Sequence, residues 1–105
     1  MKLKKSQEMD EMIPLKFFLS QNYPNPFKDK TTIKYCVAQK TRVELTVYNS
    51  ERKKITTLID DIKDPGTYEV VFRSANANDK PTDESLYYRL TAGNYTTEKR
   101  MDIIK

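Results

Sequence analysis

Two oxygen-rich clusters are the residues of this 105-residue chain that could hold a cation. The first comprises Asp60, Asp61 and Asp64, and the second lies in the polar stretch RSANANDKPTDES at residues 73–85. Calcium prefers carboxylate and carbonyl oxygens, but neither cluster has the spacing of a known calcium-binding loop. We interpret both as solvated turns, and the sequence predicts no metal site.

Candidates for nucleophilic or acid–base catalysis are few. The sequence has one cysteine, Cys36, and no histidine. Cys36 therefore lacks the usual partner for activation as a thiolate, and it cannot form an internal disulfide. The sequence also contains no glycine-rich phosphate loop and no carboxylate pair. We expect a protein without enzymatic activity or cofactor, in which Cys36 is a small residue on a strand.

The charge pattern argues against nucleic acid and membrane partners. The net charge of +4 is scattered, and the one tight basic run, at residues 52–54, has no aromatic side chains interleaved with it. Nucleic-acid binders usually concentrate charge on one face. No apolar run approaches the roughly 20 residues that a spanning helix needs. Residues 1–12, MKLKKSQEMDEM, are too polar for a signal peptide, so they are predicted to be a flexible charged leader or linker before a domain at 13–105.

Alternation of apolar and polar residues, which places one face of a strand on a core, dominates the rest of the chain. It occurs in TTIKYCV (31–37), RVELTVY (42–48), TYEVVF (67–72), LYYRL (86–90) and RMDI (100–103). FFL (17–19) predicts a brief first strand, and KITTLI (54–59) an irregular edge strand. Asp64-Pro65-Gly66 predicts a type II turn, and Gly93-Asn94 a two-residue hairpin loop. Together these signals predict an all-β, immunoglobulin-like antiparallel β-sandwich of about seven strands without a disulfide.

The stretch YPNPF at residues 23–27 places two prolines within three residues. The residues before each proline are biased toward extended geometry, and prolines lack the N–H that a central strand must donate. The stretch is therefore predicted to be a rigid crossing between the first strand and TTIKYCV. Tyr23 and Phe27 are both expected to lie against the open end of the sandwich.

With these residues in view, the chain resembles the C-terminal sorting domain of the type IX secretion system, a pattern shared with the immunoglobulin-like domain of flagellar hook-capping proteins. The resemblance runs from about residue 13 to residue 105 and is carried by LSQNYPNPF, VELTVYN, DPGTYEVVF, LYYRL and EKRMDIIK, in that order. One departure is in the turn after VY, where Asn49 and Arg52 stand in place of the usual Asp and Gly.

The resemblance implies a cargo address without chemistry of its own. Its expected partners are an upstream cargo domain, the outer-membrane translocon and the sorting peptidase of the system, and its expected location is outside the cell or on its surface, reached through the periplasm as part of a longer precursor. The implied recognition residues are Tyr23, Pro24, Asn25, Pro26 and Phe27, then Tyr87 and Arg89, and finally Lys99, Arg100 and Lys105.

Each of these elements also has a purely structural interpretation. YPNPF could be a packing device, and within LYYRL only Tyr87 and Arg89, on the outward face, could meet a partner. The last strand could accept an added strand if it lies at a sheet edge. Two other functions stay open: a structural or adhesive module, as in the flagellar cap, and a carbohydrate-binding sandwich that stacks sugars on Tyr48, Tyr87 or Tyr95.

Overall fold

The computed structural model describes residues 14–74 and 85–104. Seven strands and no helix occur there: β1 (Phe18–Leu19), β2 (Lys30–Val37), β3 (Thr41–Tyr48), β4 (Lys54–Lys63), β5 (Gly66–Arg73), β6 (Ser85–Ala92) and β7 (Tyr95–Asp102). In this part of the chain, no segment forms a helix of the length and apolarity needed to cross a bilayer. The predicted leader at 1–12, residues 75–84 of the polar loop, and Lys105 lie outside the described residues.

The strands form two antiparallel sheets. One has the order β1-β2-β5 and the other the order β4-β3-β6-β7. Apolar side chains from both sheets form a single core between them. The predicted all-β sandwich of seven strands is confirmed, and Cys36 is a free, half-buried thiol.

The period-two pattern decides which side chains enter the core. The predicted inward residues of β2, β3 and β6 have relative exposures of 0 or 1%. These residues are Ile33, Tyr35, Val37, Val43, Leu45, Val47, Leu86, Tyr88 and Leu90. Removing such apolar area from water supplies the main favourable free energy of folding, roughly 25 cal/mol per Å².

The connection between β4 and β5 differs from its prediction. β4 and β5 belong to different sheets, so Asp64 and Pro65 cross between the sheets instead of closing a hairpin. Gly66 does not have the positive φ that a type II turn requires, and it begins β5. The Tyr68 hydroxyl donates a hydrogen bond to the Asp64 carbonyl at 2.7 Å, which fixes this crossing.

The two other local predictions are confirmed. β4 is an edge strand, and its pairing with β3 is interrupted by two register shifts, although it extends beyond the predicted Ile59 to Lys63. At the β6–β7 hairpin, Ala92 lies opposite Tyr95 and Gly93 has a φ of 59°. A positive φ is typical of tight hairpin loops and explains the glycine.

Candidate recognition surface

Residues 21–27, here called the crossing, bind the outer edge of the last strand. Asn25 Oδ1 accepts a hydrogen bond from the Asp102 N–H at 2.9 Å. The Phe27 N–H donates to the Asp102 carbonyl at 3.0 Å, and the Phe27 carbonyl accepts from the Ile104 N–H at 2.7 Å. The YPNPF stretch therefore continues the four-stranded sheet past β7 by a short parallel pairing between Phe27 and Ile103.

The prolines of the crossing fit this geometry. Pro24 and Pro26 follow cis peptide bonds and have no backbone N–H to donate. The contacts with β7 come instead from Asn25, which accepts through Oδ1, and from the backbone of Phe27. Tyr23 exchanges two backbone hydrogen bonds with Thr32 of β2, both at 2.9 Å. The crossing is thus bonded to β2 at its start and to β7 at its end, and it joins the two sheets on this side of the sandwich.

The two aromatic residues of YPNPF have opposite environments. Phe27 is 1% exposed and lies edge-on to Phe72, with the ring centroids 6.0 Å apart. Tyr23 is 80% exposed, so the prediction that it also lies against the end of the sandwich is wrong. Its side chain points away because its backbone is held in the pairing with Thr32, which turns consecutive side chains to opposite faces. Phe27 is a packing residue, whereas Tyr23 is free to meet a partner.

A buried polar residue, Asn22, holds the crossing in place. Asn22 is 2% exposed, and its side-chain amide donates hydrogen bonds to the Pro24 carbonyl at 3.2 Å and to Thr31 Oγ1 at 3.0 Å. Its backbone N–H donates to the Tyr88 hydroxyl at 2.8 Å, and that hydroxyl donates in turn to the Ser20 carbonyl at 2.7 Å. Buried polar groups that are fully hydrogen-bonded fix one geometry, because any shift leaves a group unpaired at a cost of about 1–3 kcal/mol.

Burial also changes the acidity of the tyrosine in this network. Removal of the Tyr88 hydroxyl from water raises its pKa to about 12, although the hydrogen bond from the Asn22 N–H favours the charged form. Tyr88 therefore stays protonated and keeps donating to Ser20 across the neutral pH range. Gln21 adds a second tie, since its side-chain amide donates to the Arg100 carbonyl at 2.7 Å.

A cluster of charged and aromatic side chains covers the outer face of the four-stranded sheet, next to the crossing. Arg89 pairs with Glu98 at 3.2 Å, and Arg52 pairs with the second oxygen of the same carboxylate. The Arg52 guanidinium lies 4.7 Å from the centre of the Tyr87 ring, and the Arg89 guanidinium lies 5.1 Å from that of Tyr48. The predicted residues Tyr87 and Arg89 are thus neighbours on the outward face, each already engaged within the domain.

The two arginines set the electrostatics of this cluster. Hydrogen bonding from Arg52, followed by that from Arg89, holds the pKa of Glu98 below its usual value despite some desolvation. Arg52 adopts a φ of 69°, a left-handed conformation that costs a non-glycine residue about 1–2 kcal/mol. This is the position at which the resemblance has glycine. The Arg52 N–H donates to the Asn49 carbonyl at 3.0 Å, which holds the turn in this conformation.

The tyrosines proposed for sugar stacking all have partners. A guanidinium lies over the rings of Tyr48 and Tyr87, and the ring of Tyr95 stacks on Phe17 with centroids 5.7 Å apart. Stacking of a sugar on these ring faces would require displacement of those side chains. Among the residues that the structure describes, no group of three or more Cys, Asp or Glu is placed to hold a metal ion.

The basic residues of the last strand do not share one surface. Arg100 is exposed and pairs with Asp102 at 3.3 Å on the outer face. Lys99 lies opposite Tyr88 and, by the alternation of the strand, on the opposite face from Arg100. Arg100 adjoins Tyr87 across the strands and the crossing through Gln21, so it belongs to the same surface as both. Here the name recognition surface denotes Asn25, Tyr87, Arg89 and Arg100. Tyr23 lies opposite Thr32, whose side chain is on the outer face of the three-stranded sheet, so its ring faces the other side of the sandwich.

Three residues that order this surface escaped the sequence analysis: Asn22, Arg52 and Glu98. Glu98 could have been found, because a two-residue loop at Gly93-Asn94 fixes the register and places Arg89 opposite Glu98. Arg52 comes from a different hairpin, and Asn22 belongs to no periodic pattern. No signal in the sequence placed either residue beside its partners.

Comparison with known proteins supports the fold alone. No family model and no curated protein matches the chain. Among solved structures, that of dimeric latent PorU from Porphyromonas gingivalis is similar, with a TM-score of 0.62 at 13% sequence identity. The match covers 80% of this chain and 9% of the PorU chain. This chain thus resembles one small part of a much larger protein.

Proposed function

We propose that this chain is a non-catalytic C-terminal sorting domain that the type IX outer-membrane translocon recognises in order to export a cargo protein and anchor it at the cell surface. The ordered sequence blocks, which resemble those of such domains, support this proposal. The similarity to one part of PorU supports the β-sandwich fold that such a domain would need.

One structural observation carries the proposal: the crossing and the last strand, which the resemblance implies as separate recognition elements, are hydrogen-bonded to each other. Asn25 and Phe27 contact Asp102 and Ile104 directly. A partner that binds the end of β7 would therefore also meet Asn25 of the crossing. A composite surface of this kind exists only in the folded domain, so it would report that folding is complete.

The partners and location follow from the same proposal. The translocon and the sorting peptidase would act on this domain while an upstream cargo domain is joined to it in a longer precursor. The precursor would cross the periplasm and reach the cell surface without inserting this domain into a membrane and without contacting nucleic acid.

The test is an export assay in a type IX-competent cell. The full chain is fused behind a signal peptide and a fluorescent cargo, and the cargo is measured in the periplasm, on the surface and in the medium. We expect export in competent cells and periplasmic retention in cells that lack the translocon. Retention in competent cells, or equal export without the translocon, would refute the proposal.

Two matched variants make the assay specific to the crossing. Tyr23→Ala removes an exposed ring of the crossing, and we expect several-fold less export with unchanged folding. Lys34→Ala removes a side chain that is 61% exposed on the same outer face as Tyr23 but outside the crossing, and we expect normal export. Equal export of the two variants would show that Tyr23 is not part of the contact.

A further inference from the structure

The far side of the sandwich from the crossing has an unpaired strand. β5 pairs with β2 alone and forms the edge of the three-stranded sheet. The Ser74 N–H donates a hydrogen bond to the Asp29 carbonyl. In an antiparallel pair, hydrogen-bonded and non-hydrogen-bonded residue pairs alternate. Every second residue of β5, counted back from Ser74, is therefore hydrogen-bonded to β2. The backbone groups of Thr67, Glu69, Val71 and Arg73 therefore face outward, and within residues 14–74 and 85–104 they have no backbone partner.

The other edges are short, distorted or partly occupied, and the edge strand β1 has only two residues. At the edge strand β4, two register shifts distort the ladder, and the Ile62 N–H is bonded to Asp61 Oδ1 at 2.8 Å. At β7, the crossing occupies the end of the edge. β5 instead pairs in unbroken register over eight residues and contains no proline. Long regular edges of this kind are templates for strand addition.

Charge identifies the strand that fits this edge. Arg73 lies opposite Lys30, and among the described residues it makes no ion pair with an acid. Glu69 contacts Lys34 at 3.5 Å but is 59% exposed. Val71, between them on the same outer face, is 44% exposed. The outward residues Glu69, Val71 and Arg73 are thus acidic, apolar and basic in that order. An antiparallel copy of the same strand presents them in the reverse order, so the acid of each copy faces the base of the other.

We propose that a second copy of this chain pairs with β5 in antiparallel orientation, with Val71 opposite Val71 of the second copy. In this register Glu69 of each copy lies opposite Arg73 of the other, so one two-fold interface contains two ion pairs. The two three-stranded sheets would join into one six-stranded sheet. This inference concerns the side of the sandwich remote from the recognition surface and does not depend on the sorting function.

Other registers are less favourable. Centring the pair on Glu69 places the two Glu69 carboxylates opposite each other, and like charges directly opposed are destabilising. Centring it on Val70 preserves the hydrogen bonds but pairs Glu69 with Val71 and Thr67 with Arg73, which leaves both charges without a partner. A parallel pairing in register would place identical charges side by side.

The test is sedimentation equilibrium of the full chain over a concentration series, with charge-exchange variants. We expect a reversible dimer that weakens with added salt, since the ion pairs are exposed. Glu69→Arg and Arg73→Glu should each raise the dissociation constant by about tenfold, because two attractive pairs become repulsive. The double variant Glu69→Arg/Arg73→Glu should restore the wild-type dissociation constant.

Two results would overturn the proposal. One is a wild-type chain that remains monomeric up to millimolar concentration, and the other is a double variant no tighter than either single variant. Thermal unfolding of each variant checks that the side chains, all exposed, have not altered the fold. Asp60→Arg, on the edge of β4, is the matched control for net charge, and it should leave the dissociation constant unchanged.

Discussion

Substitution of the two aromatic residues of YPNPF separates packing from recognition within one motif. Phe27 is 1% exposed and touches Phe72, so Phe27→Ala removes a complete ring from the core. Such deletions cost about 3–5 kcal/mol, which is a large part of the roughly 5–15 kcal/mol by which native domains are stable. Tyr23→Ala removes a side chain that is 80% exposed and retains the backbone pairing with Thr32, so we expect a change below about 0.5 kcal/mol.

Equilibrium unfolding in urea measures both variants. With a slope of about 1–2 kcal/mol per molar urea, a loss of about 3–5 kcal/mol in Phe27→Ala should lower the unfolding midpoint by about 1.5–5 M, or leave no folded state at all. Tyr23→Ala should share the wild-type transition. Losses of similar size in the two variants would refute the assignment of Phe27 to the core and of Tyr23 to the surface.

Four further substitutions test the supports of the fold. Tyr88→Phe leaves the Asn22 N–H and the Ser20 carbonyl without the hydroxyl that pairs them and should cost about 1–3 kcal/mol; a smaller loss would argue against the network. Burial raises the pKa of Tyr88 to about 12, so its contribution to wild-type stability should be complete below about pH 10 and decrease as the pH rises toward 12. In urea unfolding at a series of pH values, the stability of Tyr88→Phe should decrease less steeply over this range. Glu98→Gln should lower the free energy of unfolding by up to about 1 kcal/mol at pH 7. The stability difference from wild type should disappear as the pH falls through the lowered pKa of Glu98. A stability difference that persists in acid would exclude the ion pair as its cause. Gly93→Ala, at a φ of 59°, should cost about 1–2 kcal/mol, whereas Gly66→Ala should be neutral or slightly stabilising in the same assay; equal effects would contradict the assigned loop geometry.

The sequence predicts the strands well because each one faces a core on one side. Alternation assigns the inward residues of β2, β3 and β6 without knowledge of their partners, and burial confirms them. The end of β4 was missed because residues 60–63, DDIK, carry acidic residues of low strand propensity. An exposed edge strand tolerates such residues, since the charges blunt the edge.

Connections between the sheets were harder to predict than the strands. Asp64-Pro65-Gly66 has the composition of a type II turn, but β4 and β5 are in different sheets, and the pairing that would need the turn does not form. Tyr23 and Phe27 are equivalent in sequence, and only the pairing of Tyr23 with Thr32 decides which ring is buried. These outcomes depend on contacts between residues distant in sequence, which local propensity does not contain.

In the candidate surface too, strand positions were predictable from the sequence and long-range contacts were not. Tyr87 and Arg89 were placed on the outward face by alternation alone, and the structure confirms that they are neighbours there. The joining of Asn25 and Phe27 to Asp102 spans more than 70 residues of chain, and no pattern within either segment indicates it. The resemblance implied both segments as recognition elements but not their contact.

Amide hydrogen exchange along the last strand tests most directly whether the crossing and β7 form one surface. The outward N–H groups of Asp102 and Ile104 are bonded to Asn25 and Phe27, so we expect both to exchange slowly. Those of Thr96 and Glu98 face the same edge without a partner in the described part of the chain and should exchange rapidly. In Asn25→Ala, Asp102 should lose its protection while Ile104 keeps part of its own. Exchange of Asp102 and Ile104 as fast as that of Thr96 and Glu98 would contradict the composite surface.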